Sequence, residues 1–195
     1  IFNELNTNNI ALDVVDLKFQ GEMRWKILPK LEVSALGALK YSSTSQEHKI
    51  RENSNQALAY RAMGDATIIN SNSWLYKNPD DPYALPVTIL PKGGFYNTTQ
   101  YKMLSYDFRA AVSWNDVFKD IHIVNVYGGM EANAQDRSSN NFDGWGMQYD
   151  NGEIPFFDYL AFKKMREGNS DYYSLSNTKK RNVAFFGTAT YSYKG

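Results

Sequence analysis

Few side chains in this sequence have the types and spacing needed for acid–base, nucleophilic or metal chemistry. The only histidines are His48 and His122, and the chain has no cysteine. The sequence contains no phosphate-binding loop, no Gly-x-Ser-x-Gly elbow and no His-Glu-x-x-His zinc motif. We interpret each histidine as a loop or strand-end residue. The sequence therefore predicts no catalytic residue, no metal site and no cofactor, and we do not expect an enzyme.

Two short motifs resemble ligand sites only in part. The clustered oxygens of Asp150-Asn-Gly-Glu153 suit a hard cation, but the spacing of an EF-hand loop is missing, so we interpret this segment as an ordinary turn. Gly144-Trp-Gly146 lacks the third glycine and the strand-to-helix setting of a dinucleotide site. Neither motif predicts a site.

Aromatic side chains in polar segments are the remaining candidates for binding. Aromatic faces bury a large area at little entropic cost, so such residues can stack on sugar rings or hold a protein lid. The alternative is that they pack loops against one another. The candidates are Trp74, Tyr76, Tyr83, Trp145 and Tyr149.

The elements that position these residues are predicted from a strict alternation of apolar and polar residues. The alternation is unbroken from residue 15 to 27, and alternation with a period of two residues is typical of a strand. Similar runs predict strands at about 12–28, 31–42, 100–115, 121–132 and 182–194. Polar residues share one face of the third run (Ser105, Asp107, Arg109) and of the fourth (Asn125, Tyr127, Glu131).

The connections between these strands alternate between short and long. Tight turns near Pro29 and Asp116–Asp120 alternate along the chain with two long polar segments, residues 43–99 and 133–181. Within the second segment, Pro155 to Arg166 has the start and stop signals of a short amphipathic helix. Loops of this length are uncommon in compact soluble domains, whereas outer-membrane barrels combine tight periplasmic turns with long external loops.

We therefore predict an all-β fold: a segment of a large antiparallel transmembrane β-barrel with about five strands, two long extracellular loops and a short helix in one of them. In such a barrel, alternate residues face lipid and a wet lumen. The residues predicted to face lipid are Leu17, Phe19, Met23, Trp25, Phe108, Val112 and Trp114. Those predicted to face the lumen are Asp16, Lys18, Gln20, Glu22 and Arg24.

Composition agrees with this interpretation and excludes some partners. The 21 basic and 21 acidic residues balance, which removes the electrostatic case for a nucleic acid. The mean hydropathy is -0.53, and no apolar run is long enough for a transmembrane helix. The chain begins with Ile1 and shows no signal segment, so we expect a processed or excised piece of a longer protein.

Three stretches carry a family resemblance. The stretch from Arg181 to Gly195, which contains Phe186-Gly187 followed by Tyr191-Ser-Tyr193, resembles a barrel strand of SusC/RagA-type TonB-dependent receptors. The stretch from Glu47 to Met63 is similar to an extracellular loop of that family. The first two predicted strands match its pattern of an aromatic strand, a Pro/Lys turn and a leucine strand. Thr188 departs from the family, which often has a basic residue there.

The resemblance implies that all of residues 1–195 belong to a single barrel domain of an outer-membrane receptor. It implies a 22-stranded barrel, an N-terminal plug that contacts TonB and lies outside this chain, and a SusD-like surface lipoprotein as a lid. Such receptors import oligosaccharides or peptides across the outer membrane. The alternative hypothesis is a secreted β-sandwich that binds carbohydrate and buries the apolar strand faces against a second sheet.

Overall fold

The structure is a computed structural model that describes residues 2–194, and the side chains from residue 4 onward. The elements are, in chain order, α1 (Phe2–Thr7), β1 (Asn8–Leu28), β2 (Leu31–Ile50), α2 (Asn55–Arg61), α3 (Ala66–Ser71), β3 (Gly94–Phe118), β4 (His122–Gln148), a 3-10 helix (Tyr149–Asn151), β5 (Ile154–Pro155), α4 (Tyr159–Glu167) and β6 (Tyr173–Tyr193).

The strands form one open antiparallel sheet. Its order is β1-β2-β3-β4-β5, and β6 also pairs with β4. Five of the strands have 20 to 27 residues, whereas β5 has two. The predicted all-β class, with about five long strands, is confirmed.

The strands are longer than the sequence predicts. Residues 43–50 and 133–148, predicted as loop, belong to β2 and β4, and residues 173–181 belong to β6. In these segments polar residues such as Ser, Thr and Asn occupy both faces, so the alternation that marks a strand is lost. Strand pairing does not need that alternation, because backbone hydrogen bonds between neighbouring strands continue regardless of which side chains they carry.

The chain divides into two compact units. Unit 1 comprises Ile1–Asp13, Thr44–Gln100 and Ser139–Ser176, and unit 2 comprises Val14–Ser43, Tyr101–Ser138 and Asn177–Gly195.

Two tight turns close the hairpins of unit 2. The β1–β2 turn consists of Pro29 and Lys30, whose carbonyl accepts a hydrogen bond from the Asn115 backbone at 2.9 Å. The β3–β4 turn contains Lys119 and Asp120, both in the left-handed region with φ of 50° and 60°. Two consecutive positive φ values characterise the type I′ hairpin turn, which follows the natural twist of the strands. The second turn lies slightly later than predicted because β3 continues to Phe118.

Unit 1 has a hydrophobic core of its own. One cluster of buried residues contains Ile50, Leu90 and Phe95, and a second contains Tyr76 and Ile89. Most of these residues lie in the segments predicted as long loops. These segments are therefore packed structures that bury apolar side chains, and compact loops of this kind are frequently functional.

Short helices with side-chain caps fold the connecting segments of unit 1. Ser54 and Asp65 cap α2 and α3 by accepting hydrogen bonds from Ala57 and Ile68 at 3.1 and 2.9 Å. The predicted helix is present as α4, with Asp158 as its cap. Helices α2 and α3 were not predicted, because seven and six residues are too few to establish a helical period. No helix in residues 2–194 is long and apolar enough to cross a membrane.

Candidate functional site

In unit 2, side-chain contacts between strands join residues of the same predicted face. The Asp16 carboxylate lies 3.4 Å from the Lys40 ammonium group. The Arg109 guanidinium lies over the Phe186 ring at 4.7 Å, and the Tyr127 ring is 5.5 Å from that ring. These contacts lie on the polar face, where cross-strand neighbours are the units that stabilise a sheet.

The opposite face of unit 2 presents large apolar side chains that remain uncovered. Phe19 and Trp25 are 65% and 63% exposed, and Leu17 and Met23 are also exposed. On β3, Phe108 and Val112 are exposed, while Trp114 is partly buried beside Phe118 with ring centroids 6.0 Å apart. An exposed apolar surface that runs along several strands is unusual for a protein in water and marks a surface that contacts another protein or a membrane.

In unit 1, two of the aromatic candidates belong to a cluster centred on Tyr60. The Trp74 ring is stacked on Tyr60 with centroids 4.4 Å apart, and the Trp145 ring meets Tyr60 edge-on at 5.5 Å. Phe95 completes the cluster at 4.8 Å from Tyr60. Burial raises the pKa of Tyr60, with a smaller contribution from Asp143. The cluster packs these segments of unit 1 against one another.

Two further candidates, Tyr76 and Tyr149, are held within unit 1, one by burial of its ring and the other by a hydrogen bond. Tyr76 is only 5% exposed, so its ring is not accessible to a ligand. The Tyr149 hydroxyl donates to the Phe95 carbonyl at 2.5 Å. Burial, and next the charge of Glu153, raise the pKa of Tyr149 to about 12. Both residues serve the packing of unit 1.

Tyr83 is the aromatic candidate that remains fully accessible. Its side chain is 96% exposed, and the nearby Leu85 is 81% exposed. The segment is closed by the antiparallel bridge between Tyr76 and Val87. At its tip, the Asp81 carboxylate accepts a hydrogen bond from the Tyr83 backbone at 3.1 Å, a local turn that presents the ring outward.

Two basic residues that support unit 1 were not predicted. Arg61 donates to the Gly93 carbonyl, and the Lys164 ammonium group donates to the Ser73 and Leu75 carbonyls at 2.7 and 3.0 Å. Burial lowers the pKa of both side chains. The sequence feature that could have indicated such a residue is a basic side chain within an apolar stretch, as at Arg61 after Ala57-Leu-Ala-Tyr60. Each side chain satisfies carbonyl groups that no strand or helix pairs.

The residues considered for metal or acid–base chemistry have structural partners. His48 Nε2 lies 2.5 Å from Asn8 Oδ1, and His122 Nδ1 lies 2.7 Å from the Tyr191 hydroxyl. Asp150 pairs with Arg51 at 2.9 Å in a turn. Across residues 2–194, no three His, Asp or Glu side chains are grouped closely enough to hold a metal ion.

Comparison with known proteins identifies the fold. No protein-family profile and no curated protein sequence matches the chain. A structure of the RagAB peptide transporter matches 96% of the chain with a TM-score of 0.64 and 10% identity. A second structure, of the RagAB peptide importer in a "closed-closed" state, matches 96% with a TM-score of 0.62 and 10% identity. The chain spans 17% of the length of either matched chain. It has the fold of a segment of a large antiparallel β-barrel.

Proposed function

We propose that this chain forms part of the barrel wall and outer mouth of an outer-membrane transporter that imports oligosaccharides or peptides. The observation that carries the proposal is the structural likeness to the RagAB peptide transporter over 96% of the chain. The sequence resemblance to SusC/RagA-type receptors supports the same function. In this proposal, residues 1–195 belong to a single barrel domain of a longer protein.

The two faces of unit 2 have distinct roles in this proposal. Leu17, Phe19, Met23 and Trp25, with Phe108, Val112 and Trp114, face the lipid. The polar row of Asp16, Lys18, Gln20, Glu22 and Arg24 faces the wet lumen. The exposure of the apolar face supports this assignment, because apolar side chains in contact with lipid need no cover from another sheet. The ion pairs Asp16–Lys40 and Glu22–Arg24 suit a wall in contact with water.

Among residues 4–194, no second sheet covers the apolar face, as the alternative, a secreted β-sandwich, would require. A sandwich buries the inner face of each sheet in a core about 10 Å thick. Phe19 and Trp25 would then be among the most buried residues, yet they are 65% and 63% exposed.

Unit 1 is the proposed outer mouth, and its exposed tip is the proposed contact with a SusD-like lipoprotein. Tyr83 presents to solvent an aromatic side chain, a type that is enriched at the centres of protein interfaces, and the exposed Leu85 lies two residues away. Trp74, which is 45% exposed beside Tyr60, is a second contact candidate. Coupling to TonB is assigned to a plug elsewhere in the longer protein.

The proposal is tested in cells that carry or lack the full-length gene. Uptake of a fluorescein-labelled hexapeptide mixture and of fluorescein-labelled maltohexaose is measured with and without a protonophore. We expect deletion to lower the uptake of one probe at least tenfold, and the protonophore to have the same effect. We also expect the protein in the outer-membrane fraction. Unchanged uptake of both probes, together with a protein that is soluble without detergent, would contradict the proposal.

A further inference from the structure

A cavity of about 300 Å³ lies within unit 1, where the end of β4 faces α4. Five of the twelve described residues that line it are aromatic, among them Phe142 and Trp145 from β4, Phe162 from α4, and Tyr172. Its volume is at the lower limit of small-molecule sites, which are typically apolar clefts with a few polar groups that fix the ligand's orientation. The cavity therefore has the size and the surface of a site for one small organic group.

The charged groups on the wall of this cavity are all negative. Asp143 and Asp158 line it, and no Lys, Arg or His is among the described residues that do so. Asp158 is already engaged as the cap of α4, since its carboxylate accepts a hydrogen bond from Leu160 at 2.7 Å. Asp143 is held in place through its backbone, whose N–H donates to the Tyr172 carbonyl at 2.8 Å.

The Asp143 carboxylate is available to a ligand. None of the ion pairs formed by residues 4–194 includes Asp143. Its side chain is exposed, so a ligand can approach it from solvent. A carboxylate in this position attracts a cation and repels an anion, and a hydrogen bond to a charged partner is stronger than one between neutral groups.

The aromatic wall favours the same charge. Phe162 and Tyr172 meet edge to face with centroids 5.2 Å apart. Aromatic faces attract ammonium groups, and cages of aromatic rings are a recurrent type of site for such cations. Ring faces and a carboxylate around one apolar cavity therefore favour a ligand that has both an apolar part and a positive charge.

We propose that unit 1 binds a protonated primary amine that carries an apolar or aromatic group, with the amine at Asp143 and the apolar group between the aromatic walls. This inference goes beyond the proposed transport function, because it depends only on groups within unit 1. The chemistry is shared by small free amines and by the amino terminus of a peptide that begins with an apolar residue.

The test compares three probes of nearly equal size on the full-length protein in detergent. Binding of phenethylamine, 2-phenylethanol and 3-phenylpropionate is measured by ligand-observed NMR. We expect phenethylamine to bind at least tenfold more tightly than the alcohol, and the carboxylate to bind most weakly. Equal binding of the amine and the alcohol, or the absence of amine binding, would overturn the inference.

Variants locate the site and separate it from binding to detergent. Asp143→Asn should remove the preference for the amine over the alcohol, whereas the control Asp171→Asn, an exposed acid outside the cavity wall, should retain it. Phe162→Ala should weaken the binding of both phenethylamine and 2-phenylethanol. An unchanged preference in Asp143→Asn would place the amine elsewhere and overturn the inference.

A second comparison identifies the source of the amine. Phe-Gly-Gly with a free amino terminus is measured against its acetylated form. If the free tripeptide binds as tightly as phenethylamine and the acetylated form does not, the site accepts peptide amino termini. If phenethylamine alone binds, the site is specific for small amines. Either result supports the site, whereas equal binding of the two tripeptides at the level of phenethylamine would overturn it.

Discussion

Tyr149 connects the 3-10 helix of unit 1 to strand β3 through one hydroxyl group, which donates to the Phe95 carbonyl at 2.5 Å. Because burial raises its pKa from 10.0 to about 12, the folded state retains the phenol proton more strongly than the unfolded state. The stability from this proton is fully present below pH 10 and is lost as the pH rises through about 12.

We therefore expect Tyr149→Phe to lower the free energy of unfolding by about 0.5–1.5 kcal/mol at pH 8, the usual value of one hydrogen bond. The deficit should stay constant while the pH is well below 10, shrink as the pH rises above 10, and change sign before the pH reaches 12. Urea unfolding of the wild type and the variant between pH 8 and pH 12 measures this difference. Tyr83→Phe is the control, because that side chain is 96% exposed and its removal should leave stability unchanged. A Tyr149→Phe deficit that is independent of pH would contradict the assignment.

The sequence could identify the aromatic residues of the loops but not their separate surroundings. Tyr76 and Tyr83 are seven positions apart in the same polar segment, yet one is 5% exposed and the other 96%. The difference arises from contacts with residues distant in sequence: Tyr76 packs with Ala161 of α4, and the Lys163 ammonium group lies 5.3 Å from its ring centroid. No local pattern encodes such partners.

Gly146, near the end of β4, and Gly152, in the β4–β5 connection, both have positive φ, 79° and 86°, but differ in what surrounds them. A Cβ atom at Gly146 would lie 2.0 Å from the Phe156 carbonyl oxygen, whereas one at Gly152 would meet nothing within 4 Å. The Gly146 carbonyl also accepts the Phe156 backbone hydrogen bond at 2.8 Å. Only glycine permits this close approach of two backbones.

We expect Gly152→Ala to cost about 1 kcal/mol, the strain of a left-handed residue. Gly146→Ala should cost several times more, because the segment that carries Phe156 must move away from β4. Hydrogen exchange of the Phe156 and Leu160 amides measures the local opening in each variant. Equal protection in the two variants would show that the contact at Gly146 does not hold the connection.

The centres of the strands could be predicted more accurately than their ends. Between residues 15 and 27 the alternation requires one register, because a shift by one residue would exchange the apolar and polar faces. Beyond residue 42, the run Ser43-Thr-Ser45 has no such requirement, and β2 nevertheless continues to Ile50. Strand ends held by backbone pairing alone leave no periodic signal in the sequence.

For the full-length protein in the membrane, the proposed orientation places unit 1 outside the cell and the hairpin turns in the periplasm. Ala84→Cys and Ser170→Cys lie in exposed segments of unit 1, and Lys119→Cys lies in the exposed β3–β4 turn. On intact cells, we expect an impermeant maleimide to label the first two cysteines and to spare the third. Lysed cells provide the control, where all three should react. Labelling of the turn alone on intact cells would reverse the orientation.

The barrel class could be predicted from the sequence because it depends on a repeated pattern: alternating strands joined by short and long connections. The division into two units could not, since the core of unit 1 packs Phe95 against Ile50 and Tyr60, which lie in a distant part of the chain. The cavity beside Asp143 could not be predicted for the same reason, because its wall combines β4 with α4.

The membrane assignment depends on two neighbouring residues of β1, Phe19 on the apolar face and Gln20 on the polar face. Phe19→Trp and Gln20→Trp are placed in the full-length protein, with Trp25, Trp74, Trp114, Trp145 and any tryptophan outside this chain replaced by Phe. The proteins are reconstituted in lipid with brominated acyl chains, and tryptophan fluorescence is measured. We expect lipid to quench the reporter at position 19 strongly and to leave the reporter at position 20 largely unquenched, because adjacent residues face lipid and lumen. Quenching of both reporters, or of the one at position 20 alone, would contradict the barrel assignment.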